Sequence, residues 1–191
     1  MLPRRRFVLA LGALLPLPFV ARRLHRLAVA ELDPRLLRAL GAAVLPTELG
    51  ERGLERAVAG FERWLAGYRE GVELVHGYGT AEIRYSGPSP ALRWSTQLRE
   101  LDAAAVRQRG RSFAKLELAE RQALVRGTLE GQRLGAMPAI DRAAHVSLGL
   151  LAFFYESPEA TDLCYQARIG SNGCRPLADS ERRPLPLADR G

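Results

Sequence analysis

The chain has 191 residues and a formal net charge of +7, from 28 basic and 21 acidic side chains. Six of the basic residues, all arginine, lie within residues 1–30, which hold no acid, so the rest of the chain is close to neutral. That balance excludes nucleic-acid binding by the body, which would need a cationic excess gathered on one surface, while about 160 remaining residues suffice for one domain with a substantial core.

The first element is Arg4-Arg5-Arg6 followed by an apolar run from Phe7 to Val20. As a helix this run of about fourteen residues spans roughly 20 Å, short of a bilayer core of ~30 Å, and Pro16 and Pro18 interrupt it. A basic start, a short apolar stretch and a small-x-small site are the layout of a secretory signal. Ala28-Val29-Ala30 supplies that site. Residues 1–30 are therefore expected to be a signal peptide cut after Ala30, with Ala28 and Ala30 marking the cleavage site. An uncut N-terminal anchor is the alternative. The arginine pair with Phe7 close behind resembles the twin-arginine type of bacterial signal, which exports proteins already folded. The resemblance implies that Arg4, Arg5 and Phe7 direct export, that the twin-arginine translocase is a partner, and that the periplasm is the destination.

Asp33-Pro34 reads as a cap followed by proline in the first helical position. Leu36, Leu37, Leu40, Ala43 and Val44 then share a helical face, and Pro46 ends it. Leu54, Val58, Phe61, Leu65, Tyr68, Val72 and Val75 step by fours and threes, which predicts one helix of roughly 25 residues. Gly60, Gly67 and Gly71 weaken it, and Gly77-Tyr78-Gly79 should stop it. Residues 77–90 are expected to be an irregular central loop, closed by Ser86-Gly87-Pro88-Ser89-Pro90. Within it, residues 81–85 are the one candidate for a short strand. Pro90 can open a helix carrying Leu92, Trp94, Leu98, Leu101 and Ala105, and Gly110 separates it from another near Leu116 to Leu134. Residues 139–155 predict a further helix. Between Ala143 and Phe154 only His145 and Ser147 are polar, so it must be covered on nearly every side. Ser157-Pro158-Glu159 starts a short last helix that leads to Cys164. The expected fold is all-α: a single compact helical bundle-like domain over 31–180, with the irregular central loop, a C-terminal disulfide loop, and a surface tail over 181–191.

Cys164 and Cys174 are the only cysteines. In an oxidising compartment such a pair is expected to form a disulfide across the Asn172-Gly173 turn, stabilising by an order of ~2–3 kcal/mol. A redox dithiol is the rival reading, though catalytic dithiols favour two intervening residues. Arg168 lies inside this loop, placed either to brace it or to meet a partner. His76 and His145 are too few to spell a metal site with the scattered acids around them. There is no dinucleotide-binding glycine fingerprint, phosphate-loop lysine, nucleophile elbow or haem-attachment motif. No catalytic, cofactor-binding or metal-binding residue is therefore nominated. Tyr78, Tyr85 and Trp94 flank or lie in the irregular loop and have two readings, core packing or an interface with another protein.

A family likeness rests on residues spread along the chain: Ala43-Val44-Leu45-Pro46-Thr47-Glu48, Gly71-Val72-Glu73-Leu74-Val75, Gly87-Pro88-Ser89-Pro90-Ala91, Gln97-Leu98-Arg99-Glu100-Leu101-Asp102, and Phe153-Phe154-Tyr155-Glu156-Ser157-Pro158-Glu159 with Ala160-Thr161-Asp162. With the arginine signal, they resemble the gluconate 2-dehydrogenase subunit 3 family over about residues 34–178. These are small subunits of bacterial flavin-dependent alcohol and sugar dehydrogenases. The resemblance implies no activity and no cofactor in this chain alone. It implies a large partner of the glucose-methanol-choline type holding flavin adenine dinucleotide, in some cases with a cytochrome c subunit taking the electrons onward. The tail after Pro176-Leu177-Ala178 departs from the family pattern, which leaves the partner's substrate open. A stand-alone exported helical envelope protein or chaperone, and an enzyme whose site no motif reveals, are the competing readings.

Overall fold

In the computed structural model, which describes residues 32–75, 83–132, 135–170, 181–183 and 185–187, all the described residues belong to one compact unit that starts at Leu32. Arg4, Arg5, Phe7, Ala28, Ala30, His76, Tyr78 and Cys174 lie outside the described residues. The first helix, α1 (Pro34–Val44), starts on the encoded cap, with Asp33 Oδ1 accepting from Arg35 N and Leu36 N at 2.9 and 3.3 Å. Such a cap contributes about 1 kcal/mol. Leu36, Leu37 and Leu40 turn inward and are buried. A 3-10 turn (Thr47–Leu49) follows, then α2 (Gly50–Gly67), which buries Val58, Phe61 and Leu65.

The predicted long helix is shorter than its apolar stripe. It stops at Gly67, and Tyr68 is already extended. Gly71 turns the chain at φ 73°, a conformation that side-chain-bearing residues rarely adopt. Strand β1 (Glu73–Val75) then pairs antiparallel with β2 (Arg84–Tyr85), Glu73 facing Tyr85 and Val75 facing Arg84 across an irregular register. Ser86 fixes the base of this ribbon: its buried hydroxyl donates to Arg69 O at 2.7 Å and accepts from Val72 N at 2.8 Å. An apolar stripe favours helix only while there is a core to face, and after Leu65 the bundle is already filled. The all-α expectation therefore holds for the body, with one small ribbon added.

Pro90 precedes α3 (Ala91–Arg109), which buries Trp94, Leu98, Leu101 and Ala105 and ends at Gly110 in the left-handed region. Leu92 faces outward. Asp102 accepts from Ser112 Oγ and Phe113 N at 2.6 and 2.8 Å, which holds a 3-10 turn (Phe113–Lys115) beneath the helix. Helix α4 (Leu118–Leu129) is tighter than the predicted 116–134 and opens on a reciprocal cap between Glu117 and Glu120. It lies along α1, where Arg121 donates to Ala39 O and Gln122 to Ala43 O.

A 3-10 turn (Ile140–Arg142) precedes α5 (Val146–Tyr155), so the predicted 139–155 helix starts seven residues late. The cause is a grip from α3. Arg93 donates to Ala143 O, Gln97 Nε2 donates to Ala144 O, and Gln97 Oε1 accepts from Val146 N, each at 2.8 Å. These bonds satisfy the backbone of 143–146 outside a helix, and His145 becomes the cap. Helix α5 packs on α1, α2 and α3. That surrounding layer explains why Val146, Leu148, Leu150, Ala152 and Phe154 are all buried.

Helix α6 (Pro158–Tyr165) starts with the predicted Ser157 cap and Pro158. The expected C-terminal disulfide loop is overturned: Cys164 is an exposed free thiol, and there is no disulfide among the described residues. Hydrogen bonds close this corner instead. Gln166 caps α6 in the left-handed region, Asp162 Oδ1 accepts from Ile169 N and Gly170 N at 2.7 and 2.6 Å, and Ala167 bridges to Pro186. With the carboxylate already gathering the chain behind the helix, the Cys164 side chain is left on the solvent side.

Candidate functional site

A ladder of rings runs from the core to the surface. Trp94 stacks on Phe61 with centroids 5.3 Å apart, Phe61 meets Phe153 at 5.6 Å, and Trp64 meets Tyr68 at 5.4 Å. Trp94 and Phe61 are completely buried, whereas Trp64 and Phe153 reach the surface in part. The core thus fixes rings whose outer edges line a cleft.

That cleft, of about 460 Å³, opens between the ribbon and the Ile140–Arg142 turn, with Trp64 and Tyr68 at its base. Val72 and Leu74 of the ribbon line it, although each stays nearly half exposed (47 and 49 %). A second cleft of about 340 Å³, between α2 and the α5–α6 junction, shares Trp64, Ile140 and Glu156 with the first. The two clefts therefore adjoin, and the surface they form together is called the groove. The opposite face of the ribbon carries Ile83 and Tyr85, also half exposed. Exposed apolar side chains gathered on one small element mark interaction surfaces more often than isolated ones do.

Tyr68 holds the groove in shape. Its hydroxyl donates to Gly87 O at 2.9 Å and lies 3.3 Å from Asp141 Oδ2, tying the end of α2 to the exit of the ribbon and to the Ile140–Arg142 turn. Burial, and then the Asp141 carboxylate, push its pKa up, which keeps it a neutral donor. Arg69, Arg84 and Arg142 stand exposed around the first cleft.

Of the residues singled out from sequence, Trp94 belongs to the core and is closed to any partner. Tyr85 is 56 % exposed on the ribbon. Arg168 is exposed beyond α6, with its backbone N–H donating to Leu185 O. The structure brings Trp64, Tyr68 and Trp94 together but leaves Arg168 with the C-terminal corner. Val72, Leu74, Arg84, Asp141 and Arg142 were not singled out for function. The alternation of Val72 with Leu74, and of Ile83 with Tyr85, was the available signal.

His145 is a buried cap. Its Nδ1 accepts from Ser147 N at 3.2 Å and lies 2.8 Å from Ser147 Oγ, so its hydrogen sits on Nε2. Burial lowers its pKa from the ordinary 6.5, with Glu100 opposing the shift. An unfolded chain takes up a proton near that ordinary value while the folded one resists. The stability is therefore fully present above it and lost as pH falls toward the lowered folded pKa. Urea unfolding from about pH 7.5 to about pH 5 should show a falling midpoint. The His145→Asn variant, which keeps a capping oxygen, should show a flatter profile, and an identical slope in both proteins would refute the assignment.

Among the described residues no three His, Cys, Asp or Glu side chains gather as metal ligands would, and no helix is long and apolar enough to cross a membrane. A scan against protein-family models, a search of curated proteins and a search of solved structures each return no match for this chain.

Proposed function

We propose that this chain is the cofactor-free accessory subunit of an exported flavin-dependent dehydrogenase of the glucose-methanol-choline type, and that it works by binding the larger flavoprotein and accompanying it to the periplasm. The observation that carries this reading is the half-exposed apolar ribbon. Val72 and Leu74 on one face, and Ile83 and Tyr85 on the other, lie outside a bundle that has already buried its own core. Surface of this kind favours association with another protein. The spaced residues quoted above, from Ala43-Val44-Leu45-Pro46 to Phe153-Phe154-Tyr155, supply the partner's class by resemblance. The Arg4-Arg5-Arg6-Phe7 start supplies the route.

The physical logic is that a flavoprotein folds around its cofactor before export, and a folded-protein exporter needs an address on only one member of a pre-formed complex. Flavin adenine dinucleotide would sit in the partner, and a cytochrome c subunit would take electrons from there. This reading predicts a large gene with a Gly-x-Gly-x-x-Gly fingerprint beside this one. Co-expression of the tagged full chain with that flavoprotein should recover the two together from the periplasm. The Arg4→Lys, Arg5→Lys double variant should leave both in the cytoplasm. Recovery of the chain as a lone periplasmic protein, with the flavoprotein co-expressed, would favour the stand-alone envelope protein instead.

A further inference from the structure

We infer that the groove between the ribbon and the Ile140–Arg142 turn, continued along α2 to the α5–α6 junction, receives an extended segment of the large flavoprotein that combines apolar side chains with carboxylates. The inference rests on the accessory-subunit reading for the identity of the partner, and on charge and shape for the chemistry of the segment.

The apolar part of the lining comes from Val72, Leu74, Trp64, Ile140 and Phe153. The rim is cationic, with Arg69, Arg84 and Arg142 around one half and Arg56 and Arg63 along the other. Three acids share the lining, and two of them have partners: Asp141 is engaged by the Tyr68 hydroxyl, and Glu159 lies 4.0 Å from Arg56. Glu156 is the third. Arg63, Arg69, Arg84 and Arg142 take part in none of the ion pairs among the described residues.

Elsewhere on the bundle some arginines are paired, while others, Arg52, Arg107, Arg109 and Arg126 among them, take part in no ion pair among the described residues. Arg38 is held by Glu51 and Glu55 at 2.7 and 2.9 Å, and Arg111 by Glu120 at 3.1 Å. Five arginines against three carboxylates leave the lining with a net positive charge, which beside half-exposed apolar side chains is complementary to an acidic, apolar ligand. The carboxylates would meet the guanidinium groups in bidentate fashion while apolar side chains cover Val72 and Leu74. The groove is preorganised for this, because the Tyr68 hydroxyl and the Ser86 hydroxyl pin both of its walls.

The test uses the full chain co-expressed with the flavoprotein. Reversing two lips of the groove together, Arg84→Glu with Arg142→Glu, should lower recovery of the complex at least tenfold with the unfolding midpoint unchanged. Reversing Arg107→Glu with Arg109→Glu, at the end of α3 and outside the groove lining, should leave recovery at the wild-type level. A photo-crosslinking amino acid in place of Leu74 should attach to a flavoprotein peptide containing Asp or Glu. A wild-type complex that the Arg84/Arg142 reversal leaves intact would overturn the groove and spare the accessory-subunit reading. Failure of the wild-type chain to bind the flavoprotein would instead remove the reading itself. Cross-linking of Leu74 to a second copy of this chain would also overturn the inference. So would sedimentation of the chain alone with phosphatidylglycerol vesicles that the same reversal abolishes.

Discussion

Replacing Gly149 by alanine should destabilise the fold by at least about 2 kcal/mol, the upper half of the range for forcing one carbon into a packed core. The sign is informative, because the same change in an unobstructed helix interior would stabilise by about 0.5–1 kcal/mol. Here a Cβ would stand 2.6 Å from Cζ2 and 2.8 Å from Cη2 of the Trp94 indole. That ring has nowhere to go. It is completely buried, stacked against Phe61, and carried by a helix whose Arg93 and Gln97 hold the approach to α5. For a domain of this size about 2 kcal/mol lowers the melting temperature by roughly 4–8 °C, which calorimetry resolves. A second substitution distinguishes a clash from a general helix effect. Trp94→Phe alone should cost stability by opening space, yet in the Gly149→Ala background it should cost less or even restore. The smaller ring admits the methyl group and also removes an indole N–H that has no hydrogen-bond partner. Strict additivity of the two changes would show that the contact does not govern the site.

The second large effect is expected at Asp162. Asp162→Ala should cost about 2–3 kcal/mol, because two backbone N–H groups, those of Ile169 and Gly170, lose a charged acceptor at 2.7 and 2.6 Å. Asp162 is 5 % exposed. Gly170 is also fixed from its other side, since any Cβ there would meet Pro158 O at 2.7 Å. The corner behind α6 therefore cannot shift easily to find new partners. Asp162→Asn, which keeps one amide oxygen, should retain part of the stability. Amide exchange separates the local effect from the global one: protection at Ile169 and Gly170 should fall in Asp162→Ala more than protection within α3. Unchanged exchange at both amides would show that another group satisfies them.

The caps, the main buried stripes and the helical class were legible in the sequence because each depends on neighbours a few residues apart. Asp33-Pro34 and Ser157-Pro158 started helices where their side chains could reach the next turn, and Leu36, Leu37 and Leu40 faced inward because the 3.6-residue period placed them together. The near-continuous apolar stretch from Val146 to Phe154 likewise implied a helix covered on nearly every side, although not by what.

Tertiary structure decided where those patterns stop and what they leave exposed. Tyr68, Val72 and Val75 continue the α2 stripe in sequence, yet Tyr68 bonds to Gly87 and to Asp141, 73 positions away, and Val72 is held by Ser86. Such long-range partners are invisible to periodicity, so a predicted helix ended as a ribbon with an open groove beside it. The start of α5 was set by Gln97, almost fifty positions earlier, for the same reason. At the C-terminal corner, cysteine spacing suggested a covalent closure, but the carboxylate of Asp162 organises that turn and Cys164 faces solvent. Local chemistry specified the elements. The hydrogen bonds and ring contacts between distant segments set their limits and, with them, the groove.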